Sequence, residues 1–219
     1  MKSKEFICLE QITKEIKGIP VLKNINLKFK TGTIYGLHGI NGSGKTMLLR
    51  MIAGLIRPTE GKVLLDGKLL HKEMDFPQSM GVVIENPDFW HNYTGLQVLR
   101  TLSAIKKTAS EQDMHTALVR VGLSPRDGRI VRKYSLGMKQ RLGIAQAIME
   151  KPDILLLDEP TNALDKEGVA QIQRILKEEA QRGAVVILTS HNTADLQVCD
   201  VLIEMEQGTV VSRRERQEG

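Results

Sequence analysis

The stretch Gly39-Ile40-Asn41-Gly42-Ser43-Gly44-Lys45-Thr46 leaves the chain around it few choices. It reads as a glycine, four arbitrary residues, and then Gly-Lys-Thr. Its glycines strip the loop of side-chain bulk, so that many backbone N–H groups can converge on one polyanion. Lys45 brings positive charge suited to β- and γ-phosphates, and the Thr46 hydroxyl offers an oxygen to Mg²⁺, a hard cation that prefers oxygen ligands. Such a loop belongs between a strand and a helix, where free N–H groups and the helix dipole both favour an anion. The flanks agree: residues 33–37 read as a short buried strand, and residues 47–53 as a helical run stopped by Gly54.

The rest of the pattern is that of an α/β protein. Residues 6–9 and 21–29 read as strands joined by the turn material Lys17-Gly18-Ile19-Pro20, and residues 62–65 and 68–70 as a hairpin about Asp66-Gly67. Residues 80–84 form a further buried strand. Helical periodicity then takes over, with helices predicted at 94–105, 111–121 and 136–149. Strands return at 154–157, 185–188 and 201–203, alternating with helices near 166–182 and 193–199, as a mostly parallel sheet with crossover helices requires. The expected layout is a nucleotide-binding α/β core over 1–85 and 152–212, with antiparallel strands at its N-terminal end, a helical subdomain inserted at 86–151, and a polar tail at 213–219.

Composition narrows the class. At 219 residues, 41% hydrophobic and 26% charged, the chain can bury one sizeable core and is not a disordered polymer. Its longest apolar runs, 154–157 and 184–188, fall far short of the roughly 20 residues that cross a bilayer. The start, Met1-Lys2-Ser3-Lys4-Glu5, leads into strand-like alternation rather than a signal region, so a cytoplasmic protein is expected. Cys8 and Cys199 lack partners at metal-ligand spacing and read as reduced core thiols. The net charge of +5 is spread out, with no long Lys/Arg run and only 4% aromatics, so nucleic acid is not an expected partner. Arg213-Arg214-Glu215-Arg216 reads as solvated tail.

A second chemical signal is Ile154-Leu155-Leu156-Leu157-Asp158-Glu159, an apolar strand ending in two carboxylates. Ligands in open α/β sheets collect at the carboxyl ends of strands, which brings both groups to the edge where the glycine loop opens. Asp158 would hold Mg²⁺, directly or through water, while Glu159 would orient and polarise a water for in-line attack on a γ-phosphate.

Tyr134-Ser135-Leu136-Gly137-Met138-Lys139-Gln140-Arg141, ahead of a helix, resembles the signature loop of ABC transporter nucleotide-binding domains. So do Pro58-Thr59-Glu60-Gly61, the run Asp158-Glu159-Pro160-Thr161-Asn162-Ala163-Leu164-Asp165, and His191 after the strand at 185–188. The resemblance covers nearly the whole chain. It implies a P-loop NTPase (RecA-like) fold and an ATPase subunit of an ABC transporter, dimeric as a homodimer or with a paired ABC ATPase subunit. Such a subunit sits at the inner face of the cell membrane beneath separate permease subunits, with ATP and Mg²⁺ as its cofactors. Two such domains stack head to tail and sandwich two ATP molecules. The implied nucleotide contacts are Gly39, Ile40, Asn41, Gly42, Ser43, Gly44, Lys45, Thr46 and Met47. From the facing chain come Ser135 and Gly137, which meet the γ-phosphate in trans, and Asp165 couples the two sites. Lys45, Glu159 and His191 are the implied catalytic residues, His191 contacting the γ-phosphate and holding the attacking water.

Three departures from the family pattern stand out. Leu136 replaces the first signature glycine, and Met138 and Lys139 alter the positions after the second. Ile16 stands where an aromatic residue stacks on adenine, which leaves apolar packing alone and weaker base discrimination. Glu85 replaces the glutamine that reaches Mg²⁺ and the membrane partner; it joins Thr46 and Asp158 as an expected metal ligand. Glu85-Asn86-Pro87 with Phe89, Trp90 and Tyr93 resembles the subgroup of exporters that expel bacitracin-like or lantibiotic peptides. That aromatic group suits a groove for a partner's short helix, with core packing as its other reading. The rival functions are a soluble ABC-type ATPase of DNA repair or translation, and a non-catalytic nucleotide-responsive module.

Overall fold

The computed structural model describes residues 4–85 and 87–216. Residues 1–3, Asn86 at the expected start of the helical subdomain, and residues 217–219 of the expected tail lie outside them.

Two sheets share the work. The first is antiparallel, in the order β2-β1-β4-β5, from β1 (Glu5–Ile16), β2 (Ile19–Lys30), β4 (Glu60–Leu65) and β5 (Lys68–Leu69). Strand alternation alone would not turn Leu9 and Ile12 to the same side, nor Leu22 and Ile25. A bulge solves this on each strand, with Gln11 and Asn24 at positive φ and register shifts between Leu9/Ile12 and Ile12/Lys14. All four apolar side chains are thereby buried.

The second sheet runs β10-β9-β3-β8-β7-β6. Parallel strands β3 (Thr33–His38), β6 (Met80–Val83), β7 (Ile154–Asp158), β8 (Val185–Ser190) and β9 (Val201–Glu206) form its body. Its central strands are apolar on both faces because each face meets a different core. Ile154, Leu156, Val185 and Ile187 join the antiparallel strands and α1 (Lys45–Ile52). Leu155, Leu157, Val186 and Leu188 point the other way, into the helical core. That core is built by α2 (Gly95–Lys106), α3 (Glu111–Arg120), α4 (Leu136–Ile148) and α5 (Lys166–Gln181). The helical segment thus packs into the same apolar cluster as the sheet. Capping boxes at Thr94/Gln97 and Ser110/Asp113 start α2 and α3.

Two expectations are corrected. Residues 213–215 are not tail but the end of β10 (Thr209–Glu215), which turns back at Gln207-Gly208 and pairs antiparallel with β9. β10 is an edge strand, so charged side chains are tolerated and protect the edge from further pairing. The helix expected at 193–199 is only a 3-10 turn at Asp195–Val198.

Candidate functional site

The site forms where β3, β7 and β8 end. After His38 the chain enters the glycine loop, and α1 begins at Lys45 with Gly44 as its N-cap at φ 105°. Gly39 must be glycine, since a Cβ there would lie 2.3 Å from the Met205 carbonyl oxygen of β9. Lys45 is only 5% exposed. Its Nζ donates to the Gly39 carbonyl at 2.6 Å and the Ile40 carbonyl at 3.1 Å, which holds the ammonium in the loop's mouth. Burial pulls the lysine below its ordinary pKa, while Glu159 and Asp158 pull the other way. The Ser43 hydroxyl is buried in the same loop without a protein partner.

The two carboxylates are tied to this loop and to β8. Asp158 Oδ2 accepts from the Thr46 hydroxyl at 2.8 Å, and its Oδ1 accepts from the Thr189 hydroxyl at 2.6 Å. Thr189 Oγ1 in turn accepts from the Glu159 backbone N–H at 3.0 Å. Glu159 leaves the strand at φ 48°, a left-handed conformation that turns its carboxylate away from the direction β7 would give it. Both of its oxygens lie 3.1 Å from His191 Nδ1. Thr46, Asp158, Thr189, Glu159 and His191 therefore form one connected row beside Lys45.

A cavity of about 530 Å³ opens over Lys45, Thr46, Asp158 and Glu159, with Thr189 and His191 outside its lining. Lys45, Thr46, Met47, Asn41, Gly42, Gly44, Asp158 and Glu159 line one part of it, and Ile19, Pro20, Val21, Lys23, Gln207 and Gly208 another. Ile16 is not on that wall. Lys17 and Gly18 both take positive φ in a two-residue turn, and Ile19, paired with Ile16 across it, reaches the cavity instead. Ile40 also lies off the lining and is 77% exposed.

Glu85 is held elsewhere. Its carboxylate pairs with Arg50 of α1, two-thirds exposed and outside the cavity lining. Among the described residues no group of three or more His, Cys, Asp or Glu side chains is arranged to hold a metal. Thr46 and Asp158 are the oxygen donors that meet, a protein share of the size Mg²⁺ ordinarily takes.

Ser135, Gly137 and Asp165 stand apart from the cavity. Ser135 caps α4, its Oγ accepting from the Met138 N–H at 3.2 Å. Asp165 caps α5, accepting from the Gly168 N–H at 2.9 Å. The two loops touch: a Cβ on Gly137 would lie 2.7 Å from the Ala163 carbonyl oxygen.

Sequence reasoning misses Thr189 and the wall at 19–23. Thr189 has a signal, as the first polar residue after an apolar strand, the same pattern that marks Asp158. The wall has none, because only the β1–β2 pairing places it opposite the glycine loop.

Comparison with known proteins agrees with this geometry. The family described as ABC transporter matches residues 22–162. YybJ of Bacillus subtilis, named as an ABC transporter ATP-binding protein, is 54% identical over 198 residues, 90% of this chain and 91% of that one. The bacitracin transport ATP-binding protein BcrA of Enterococcus faecalis is 39% identical over 205 residues, 92% of this chain and 67% of its own. Among solved structures, the dimeric bacterial ABC transporter cassette MJ0796 is similar with a TM-score of 0.88 at 26% identity, over 97% of this chain and 100% of that one.

Proposed function

The chain belongs to the ABC transporter family as an ATP-binding, ATP-hydrolysing subunit, and from that premise we propose that two copies close face to face on two ATP molecules, each completing the other's site. The observation that carries the reading is the row Thr46-Asp158-Thr189-Glu159-His191 beside a buried lysine.

In this scheme the backbone N–H groups at 39–46 and the N-terminus of α1 receive the phosphates, and the Ser43 hydroxyl gains the partner it lacks. Lys45 moves its ammonium from the loop carbonyls to the β- and γ-phosphate oxygens. Thr46 and Asp158 would hold Mg²⁺, which would neutralise phosphate charge. Glu159 orients the attacking water, and His191 fixes the Glu159 carboxylate while facing the γ-phosphate. Thr189 keeps the two carboxylates apart in role: it donates to Asp158 and anchors the backbone of Glu159. Ser135 and Gly137 act on the partner's nucleotide, adding donors at a helix N-terminus where charge develops. Loss of the γ-phosphate removes the bridge between the chains, and the pair reopens.

Membrane permeases are the working partners of this family, and no helix among the described residues is long and apolar enough to cross a membrane. The chain works at the inner membrane face through such a permease. Trp90 and Tyr93 are 48% and 40% exposed with ring centroids 5.8 Å apart, beside a hollow of about 370 Å³ lined by Phe89 and Leu102. They form the permease contact. The similarity to the bacitracin transport protein supports a peptide antibiotic as the cargo class. Glu159→Gln is the decisive test: ATP binding is retained while turnover falls about 100-fold or more, since a neutral amide cannot orient and polarise the water in the same way. Wild-type phosphate release by this variant refutes the catalytic assignment.

A further inference from the structure

Arg141 lies on α4, six residues after the capping Ser135, with its side chain 18% exposed. Its guanidinium sits where three helices meet. Nη1 donates to the Val121 carbonyl oxygen at the end of α3 at 2.6 Å and to Gln171 Oε1 on α5. Nη2 lies 3.8 Å from Asp165 Oδ1 at the start of α5. Gln171 completes the joint by donating through Nε2 to the Arg120 carbonyl oxygen at 2.8 Å.

Two glycines of the surrounding backbone make room for this fork. A Cβ on Gly122 would lie 2.7 Å from Nη1, and a Cβ on Gly168 would lie 2.7 Å from Nη2. Gly168 stands in the first turn of α5, where glycine costs about 1 kcal/mol in helix propensity relative to alanine. Keeping it there makes sense if the guanidinium needs the space. The slot is also specific. Both hydrogen bonds leave from Nη1 while Nη2 fills the space beside Gly168 and Asp165, so the planar guanidinium occupies two sides of the slot where a lysine ammonium would occupy one. The exposed Asp165 carboxylate is too distant and too solvated for the joint to be mainly an ion pair.

We propose that Arg141 is a positioning residue that makes the Ser135–Gly137 loop and the Asp165 turn one rigid piece, so that both edges of the dimer interface are presented together. This rests on the dimer reading above. Ser135 and Asp165 cap α4 and α5, Gly137 approaches Ala163 between them, and Arg141 of α4 bonds Gln171 of α5 one layer behind. Arg141 touches neither the cavity nor its lining, so its loss should leave nucleotide binding by a single chain intact and weaken closure.

The test uses the full chain in the Glu159→Gln background, with Arg141→Lys and Arg141→Met. Nucleotide affinity of the monomer and ATP-driven dimerisation are measured separately, by fluorescent ATP titration and analytical ultracentrifugation. Monomer Kd stays within about twofold, while the dimer dissociation constant rises about tenfold in both variants, with no rescue by lysine. Combining Arg141→Lys with Asp165→Asn gives less than the sum of the single effects, because both act through one joint. A merely structural arginine would shift both affinities with Tm and give additive effects. Should Arg141→Met fail to fold, Arg141→Lys still decides. Equal dimerisation of the Glu159→Gln parent and its Arg141→Lys derivative overturns the inference alone. A parent that stays monomeric with ATP bound overturns the proposed function and this inference with it.

Discussion

The glycine loop and the Ser135 loop both sit at helix N-termini, yet they are finished to different degrees. Around the glycine loop the charged and hydroxyl side chains of the catalytic row are engaged within the chain: Lys45 on two carbonyls, Thr46 on Asp158, Asp158 on Thr189. Lys45 and Asp158 are 5% and 8% exposed. Around Ser135 there is one cap bond and an open surface, with Leu136 58% exposed and the Asp165 side chain 77% exposed. A helix start that is braced from behind and bare in front is what an intermolecular contact leaves on a single chain. In the proposed dimer, one molecule would hold a whole cradle and half of a lid for its partner's.

The difference can be broken most severely at Lys45. Lys45→Ala should raise the ATP Kd of the single chain about 100-fold or more, because a desolvated ammonium facing phosphate is lost. Isothermal titration checks it, and a change under threefold would mean the cradle does not depend on its lysine. At the other loop, Ser135→Ala should leave single-chain ATP affinity unchanged and cut turnover about tenfold, as one donor to the partner's γ-phosphate disappears. Its lost cap should also lower Tm by about 2–4 °C. A fall in single-chain affinity instead would place Ser135 in its own chain's site. The smallest effect lies away from both loops. Lys151 and then Ser110 hold the Asp113 carboxyl down at about 2, from an ordinary 3.8. A depressed carboxyl contributes stability above its unfolded pKa and loses that contribution as pH falls through the folded one. Asp113→Asn should therefore lower Tm by about 2–4 °C at pH 6, with the gap closing between pH 4 and pH 2. Nucleotide affinity at neutral pH should not change.

Legibility falls with distance along the chain. The phosphate loop needs only adjacent residues, so its glycines, Lys45 and Thr46 announce it, and α1 follows it directly, starting at Lys45, two residues ahead of the helical run read from the sequence. Strands β7 and β8 are equally plain, since apolar runs with polar ends fit a sheet covered on both faces. β10 hides behind its charges: Arg213, Arg214 and Glu215 look like tail unless the β9 edge that they cover is known. Glu85 looks like a metal ligand by position in a motif. Arg50, thirty-five residues earlier, claims its carboxylate. Ile16 and Ile19 differ by a two-residue turn, and the side of the hairpin that meets the cavity depends on bulges no motif encodes.

The sequence by itself determined the chemistry: a loop whose backbone is free to face a polyanion, a lysine and a threonine at its end, and two carboxylates at the tip of a buried strand. Those properties are local, set by side-chain size and by the strand-to-helix transition around them. Only the tertiary structure decided which groups meet. Thr189 bridges Asp158 and Glu159 because β7 and β8 pair in parallel with Asp158 opposite Thr189. Arg141 finds its slot because three helices leave two glycine-sized gaps at one point. Contacts of that kind need the register of strands and the packing of helices first, and those come from burying two whole cores rather than from any short run of residues.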